Sequence, residues 1–244
     1  MDNEKYISDT ILKMGIETDD KKARLLTRFF ELLISANKNV NLTAITEFDD
    51  VVIKHFADSL APLAVNVSRE TFYLPGIKLL DVGSGAGFPG IPLKIFLPDA
   101  RVTLLDSLAK RVSFLNSTIE SLGLTEITAI HDRAEDAGRR ANMREAFDIC
   151  VSRAVAELAV LSEYCLPFVK TGGIFVSYKA DDCDAELKAS LPAVKALGGE
   201  IVAEETLILP DSDIKRKLIV IKKISSTPGT YPRKAGTPHK KPIR

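Results

Sequence analysis

The chain has 244 residues, 45% apolar, 27% charged and 7% aromatic, with 33 bases against 33 acids. That composition excludes wholesale disorder and fits one large α/β domain or two small ones. No apolar run approaches the length of a membrane span, so no membrane partner is expected.

The N-terminus, Met1 to Lys13, mixes acids and bases and lacks an apolar signal core, which predicts a cytoplasmic protein. Ile7, Ile11, Leu12 and Met14 recur at helical spacing, as do Leu25, Leu26, Phe29, Phe30, Leu32 and Leu33. Thr18, Asp19 and Asp20 supply short oxygen side chains for the second helix start. A third helix is predicted from about Asp49 to Leu63. At Ile77 the texture changes to short apolar runs alternating with longer amphipathic stretches. The pairs are Ile77–Val82 with Pro89–Phe96, Val102–Leu105 with Leu108–Leu122, and Ile127–Ile130 with a short polar helix. Phe147–Val151 with Ala156–Val169 and Ile174–Tyr178 with Ala185–Leu197 complete the series. Such βα units predict a parallel sheet covered by helices on both faces. Glu200–Leu209 and Lys217–Lys222, joined by Pro210–Lys215, predict a terminal hairpin with one antiparallel strand. The expected fold is α/β: a seven-stranded, mostly parallel, Rossmann-like sheet resembling class I methyltransferases, with an N-terminal helical extension. The expected division is a helical extension packed on the core (1–70), a methyltransferase domain (71–224) and a basic tail (225–244), extended beyond Ser225.

Charge is segregated along the chain. Lys215 to Arg244 carries ten bases and no acid, whereas the other 214 residues carry 23 bases against 33 acids. This points to a polyanionic partner, with a merely solubilising tail as the plain alternative. Cys150, Cys165 and Cys183 are far apart, and His55, His131 and His239 are the only histidines. Neither a disulfide framework nor a metal site is expected.

The stretch Asp81-Val82-Gly83-Ser84-Gly85-Ala86-Gly87-Phe88-Pro89-Gly90 joins the first predicted strand to its helix. Gly83, Gly85 and Gly87 let the backbone turn tightly and approach a ligand. A dinucleotide fingerprint starting at Gly83 would need glycine where Phe88 stands. G-x-G-x-G behind Asp81 instead matches S-adenosylmethionine sites. Asp106, ending the second strand, is placed to accept hydrogen bonds from ribose hydroxyls, with a helix cap before Leu108 as the alternative. His131-Asp132-Arg133-Ala134-Glu135 follows the third strand at the same rim, where an adenine would lie. Ser152-Arg153-Ala154 ends the fourth strand at the switch point of the fold. Arg153 there is the candidate catalytic residue, orienting either the cofactor carboxylate or the base; an ion pair at a strand end is the alternative. No Asn/Asp-Pro-Pro-aromatic motif and no Pro-Cys pair occurs, which disfavours exocyclic-amino and carbon-5 methylation. Guanine N7 carries a free lone pair, so its methylation needs proximity and orientation but no base.

Several motifs together resemble one family: Asn41-Leu42-Thr43-Ala44-Ile45, Lys54-His55-Phe56 with Asp58-Ser59-Leu60, and the loop Asp81–Pro92. Leu104-Leu105-Asp106-Ser107-Leu108 with Lys110-Arg111, Arg133-Ala134-Glu135, Ser152-Arg153-Ala154 and Tyr231–Pro238 extend the match. The chain resembles the bacterial small-subunit rRNA guanine-N7 methyltransferases, also called glucose-inhibited division protein B. Ala180, after Lys179, departs from the glycine common in relatives. The resemblance implies S-adenosyl-L-methionine as cofactor and transfer to N7 of one guanine in the decoding region of 16S rRNA. It also implies cofactor contacts at Gly83, Phe88, Ala134, Glu135 and Arg153. The partner expected is 16S rRNA or the small ribosomal subunit, contacted by Lys215–Arg244 with Lys54 and His55, and the chain is expected to be a monomer. Two other readings compete: a non-catalytic rRNA-binding assembly factor and an NAD-type oxidoreductase.

Overall fold

The computed structural model describes residues 2–65, 70–153 and 155–244. Its first third is helical: α1 (Asn3–Leu12), α2 (Asp20–Val40), then α3 (Phe48–Val51), a π-helical turn (Val52–Ala57) and α4 (Asp58–Ala64) in one run. α2 begins where Asp19 accepts a hydrogen bond from the Lys22 N–H at 2.8 Å, satisfying a donor the helix cannot pair. It ends at Asn41, whose φ of 50° is left-handed, a conformation asparagine tolerates. Its buried stripe of Ala23, Leu26, Phe29 and Leu33 shares one core with Ile7 and Ile11 of α1.

Strands and helices then alternate: β1 (Lys78–Val82), α5 (Gly90–Phe96), β2 (Arg101–Asp106), α6 (Ala109–Ser121), β3 (Ile127–His131), α7 (Ala134–Ala137) and β4 (Phe147–Arg153). α8 (Leu158–Cys165), β5 (Val169–Ala180), α9 (Asp184–Ala196), β6 (Gly199–Ile208) and β7 (Lys215–Lys223) follow. The sheet order is β3-β2-β1-β4-β5-β7-β6. Neighbours are parallel as far as β5, and β7 inserts antiparallel to both β5 and β6, as the hairpin pattern predicts. Successive strand residues face opposite sides. Leu79, Leu104, Ile149 and Val151 join the core that includes α1 and α2, and Leu80, Leu105, Cys150 and Phe175 join the core that includes α8 and α9. The strand order reverses between β1 and β4, so the carboxyl ends of β1, β2 and β4 border a crevice. No helix among the described residues is long and apolar enough to cross a membrane.

The segment after β7 is not the extended tail predicted from its composition. Arg144 donates to the carbonyls of Gly138, Thr227, Pro228 and Tyr231. Gly236 N–H donates to Glu135 Oε1 at 2.8 Å, and a last helical turn, α10 (Thr237–Lys240), follows. Arg233 is the latch: its backbone and guanidinium both bind the buried carboxylate of Glu163, the shortest contact being 2.6 Å. Five of the ten basic residues are neutralised within the fold, Lys215 by Asp181, Arg216 by Asp58, Lys217 by Asp184, Lys223 by Glu145 and Arg233 by Glu163. Lys222, Lys234, Lys240, Lys241 and Arg244 are exposed and form no ion pair among the described residues. Five of the ten bases are thus left without an acidic partner among the described residues. Replacing Arg233 by Ala leaves Glu163 buried without its cation and should lower the unfolding free energy by about 3 kcal/mol. Urea denaturation at neutral pH measures this; a loss below about 0.5 kcal/mol would show that the segment is not latched there.

Candidate active site

The crevice at the strand ends holds a cavity of about 620 Å³. Its floor is the loop after β1. Gly83, Gly85 and Gly87 have φ values of 77°, 57° and 96°, all left-handed, which is why glycine stands at each. The loop is stitched to β2, Gly83 and Ser84 donating to the Leu105 carbonyl and Gly85 to Asp106 Oδ2 at 2.9 Å. A Cβ on Gly85 would meet nothing closer than 3.9 Å, so the backbone there is open to a ligand. Gly87 differs. Its missing Cβ faces Ile91 and Leu115 behind the loop, and the residue does not line the cavity. The missing side chain at Gly87 lets α5 approach the loop.

Gly83, Gly85, Phe88, Asp106, Ala134, Glu135 and Arg153 all line the cavity. Asp106 accepts from the N–H groups of Gly85 and Leu108, each at 2.9 Å, and Arg111 lies 3.6 Å away. A carboxylate offers about four acceptor positions, so two remain after those bonds. Glu135 has one oxygen engaged by Gly236 N–H, which brings the C-terminal segment to the cavity; Gly236 and His239 form part of its wall. Arg153 lines the cavity and forms the strand-end ion pair. Its Nη1 binds Asp58 Oδ2 at 2.7 Å and the Lys54 carbonyl at 3.1 Å, and its guanidinium lies 5.3 Å from the Phe88 ring centre. Ala154, the third residue of that strand-end motif, lies outside the described residues.

Two neighbouring groups carry unusual protonation. Asp81, fully buried under the loop, receives Gly90 N–H at 2.9 Å, but its Oδ1 has no hydrogen-bond partner among the described residues. Burial, resisted by that backbone bond, pushes its carboxyl up to about 7. His55 stacks on Phe88 with ring centres 4.5 Å apart. Burial and then the Arg153 charge lower its ring to about 4. The neutral ring is held against Phe88 and Arg153, and Lys54 pairs with Asp50 at 2.7 Å. Thr43, Leu42 and His55 form the wall that individual residue chemistry did not assign. Asn37, in the last turn of α2, holds this wall by binding Leu42 N–H, Thr43 N–H and the Thr43 carbonyl. Among the described residues no group of three or more His, Cys, Asp or Glu could hold a metal ion.

A family model described as rRNA small subunit methyltransferase G matches residues 22–208. The chain belongs to that family. It is 48% identical over 243 residues to the ribosomal RNA small subunit methyltransferase G of Lactobacillus acidophilus, with 100% of each chain covered. The enzyme of that name from Desulforamulus reducens is 50% identical over 232 residues, 95% of this chain and 94% of that one. Among solved structures, TrmN from Thermus thermophilus aligns with 71% of this chain and 53% of its own at 18% identity and a TM-score of 0.51. A branched-chain polyamine synthase mutein from Thermus thermophilus aligns with 70% and 56% at 16% identity and a TM-score of 0.53. These structural likenesses concern the fold alone. The family membership sets the oxidoreductase reading aside, and the segment from Ile208 onward, including the Gly236 wall, lies at or beyond the end of the matched region.

The His55 environment has a measurable consequence. Its pKa is lower in the fold than the ordinary 6.5, so the stability it contributes is complete above pH 6.5 and disappears as pH falls towards 4. The stability difference between the parent and His55→Gln should shrink by about 3 kcal/mol between pH 7 and pH 4, followed by urea denaturation across that range. A difference that stays constant with pH would mean that the ring is not held neutral.

Proposed function

We propose that the chain transfers a methyl group to N7 of a guanine in 16S rRNA, using the cavity over Asp81–Gly90 for S-adenosylmethionine and its mouth for the base. The observation that carries this reading is the cavity at the switch point, floored by the open backbone of Gly85 and walled by Asp106, in a chain of the rRNA small subunit methyltransferase G family. Bound S-adenosylmethionine supplies an electrophilic methyl group on a sulfonium. The residues present fit such a group. Asp106 keeps two acceptor positions for ribose hydroxyls, and Ala134 and Glu135 form the wall expected beside adenine. Gly83 and Phe88 bound the middle of the cavity, and Arg153 is the residue assigned to orient the reacting pair.

No proton leaves guanine N7 before the methyl arrives, so orientation is the chemical demand on the site. His55 meets that demand as a neutral ring whose Nδ1 faces Arg153 at 3.3 Å, not as a base open to the substrate. Cations without an ion pair among the described residues suit an RNA backbone approaching the mouth: Arg133 lines the cavity beside His239, and Lys240 and Lys241 follow His239 in the chain. This reading places the chain with its rRNA in the cytoplasm.

Mass mapping of 16S rRNA from cells with and without the protein should reveal one 7-methylguanine that depends on it. Identical maps would overturn the enzymatic reading and leave an rRNA-binding factor. At the cofactor end, Asp106→Ala should weaken S-adenosylmethionine binding by about 10- to 100-fold, measured by calorimetry on folded protein, because charge-assisted bonds to ribose are lost. Unchanged affinity would return Asp106 to the task of fixing Gly85 and Leu108.

A further inference from the structure

A hydroxyl has one hydrogen to donate and two lone pairs to accept with. Thr43 Oγ1 accepts the Ile45 N–H at 3.0 Å and lies 2.8 Å from His55 Nε2. The direction of the second bond is set across the imidazole. Nδ1 lies 3.3 Å from Arg153 Nη2, which can only donate. The Lys54 carbonyl, 3.1 Å from the same Nδ1, accepts Arg153 Nη1 at 3.1 Å and keeps a second lone pair, so the guanidinium contact decides the direction. A hydrogen on Nδ1 would confront the guanidinium, whereas a lone pair there accepts from it. The ring is neutral at physiological pH, with a pKa near 4, so its single hydrogen sits on Nε2 and points at Thr43.

Both lone pairs of Thr43 Oγ1 are thereby filled, and its own hydrogen has no acceptor among the described residues. The side chain lines the cavity beside Phe88 and Arg153. Guanine presents the O6 acceptor next to N7, whereas adenine presents an amino donor next to its N7. An ordinary hydroxyl rotates to suit either base, but one with filled lone pairs cannot.

We infer that Thr43 is the specificity-determining residue that selects guanine over adenine, its hydroxyl donating to O6, and that His55 is the positioning residue that makes it a donor only. This rests on the guanine-N7 reading above. The test is single-turnover methylation of rRNA carrying guanine or 2-aminopurine, which keeps N7 and lacks O6, at the methylated position. Measured at saturating cofactor, the guanine to 2-aminopurine rate ratio should fall about tenfold in Thr43→Val. Thr43→Ser should restore the ratio, and His55→Phe, which keeps a stacked ring but loses the donor, should reduce it. Equal loss on both substrates, or an unchanged ratio in Thr43→Val, would overturn the inference. Failure of the parent protein to form 7-methylguanine would instead defeat the underlying reading.

Discussion

Asp58 is buried, yet its two oxygens face two guanidiniums, Oδ2 receiving Arg153 at 2.7 Å and Oδ1 receiving Arg216 at 2.6 Å. This one carboxylate joins the start of α4 to the end of β4 and to β7, three segments far apart in sequence. Burying three charges costs solvation, which only full pairing offsets, so none of the three can be lost without stranding another. The rest of the site inherits its geometry from this triad. Asp58 fixes Arg153; Arg153 fixes the Lys54 carbonyl, the His55 tautomer and the Phe88 ring; His55 fixes Thr43. Tyr178 strengthens the same junction by donating to the Ser59 carbonyl at 2.8 Å.

The π-helical turn at Val52–Ala57 belongs to this arrangement. Apolar periodicity predicts one uninterrupted helix from Asp49 to Leu63, and the helical run is indeed continuous. What periodicity does not report is the change in winding, because Val52, Ile53, Phe56 and Leu60 remain inward in either geometry. The widened turn leaves the Lys54 carbonyl available, and Arg153 takes it. A tertiary donor thus accompanies the local backbone form, and no local sequence signal identifies that donor.

The same division explains which parts of the site were legible. Gly83, Gly85, Phe88, Asp106, Ala134, Glu135 and Arg153 lie at strand ends or in the first loop, so alternation of strands and helices places them at one rim. Thr43, His55, Gly236 and His239 come from the helical extension and the C-terminal segment, whose docking depends on long-range contacts. Gly87 shows what spacing alone does not report, since its missing Cβ makes room for Ile91 and Leu115. The C-terminal segment was read as extended because its Pro, Gly and Lys content lacks periodicity. Arg144 supplies the missing order by capping its carbonyls, and Glu163, buried on α8, supplies the pull on Arg233. β5 likewise begins at Val169, ahead of the predicted Ile174, because Phe147 pairs with Val169 before the register shifts.

Asp81 and His55 lie in the floor and wall of the site with opposite pH linkages. The raised carboxyl of Asp81 favours the fold in acid and loses that contribution as pH rises through about 7. The lowered ring of His55 favours the fold above 6.5 and loses its contribution as pH falls through about 4. Between those limits both groups are neutral in the folded chain, and their slopes oppose each other. Arg153 lines the cavity with its charge already committed to Asp58, while the Asp81 carboxyl lies buried beneath the loop and outside the cavity lining. A cationic ligand group in the cavity above would favour the ionised carboxylate through the loop and draw the Asp81 pKa down. It would leave the neutral His55–Thr43 pair unchanged on the opposite wall. Charge recognition of cofactor and hydrogen-bond recognition of base would then rest on separate residues, both held in register by the carboxylate of Asp58.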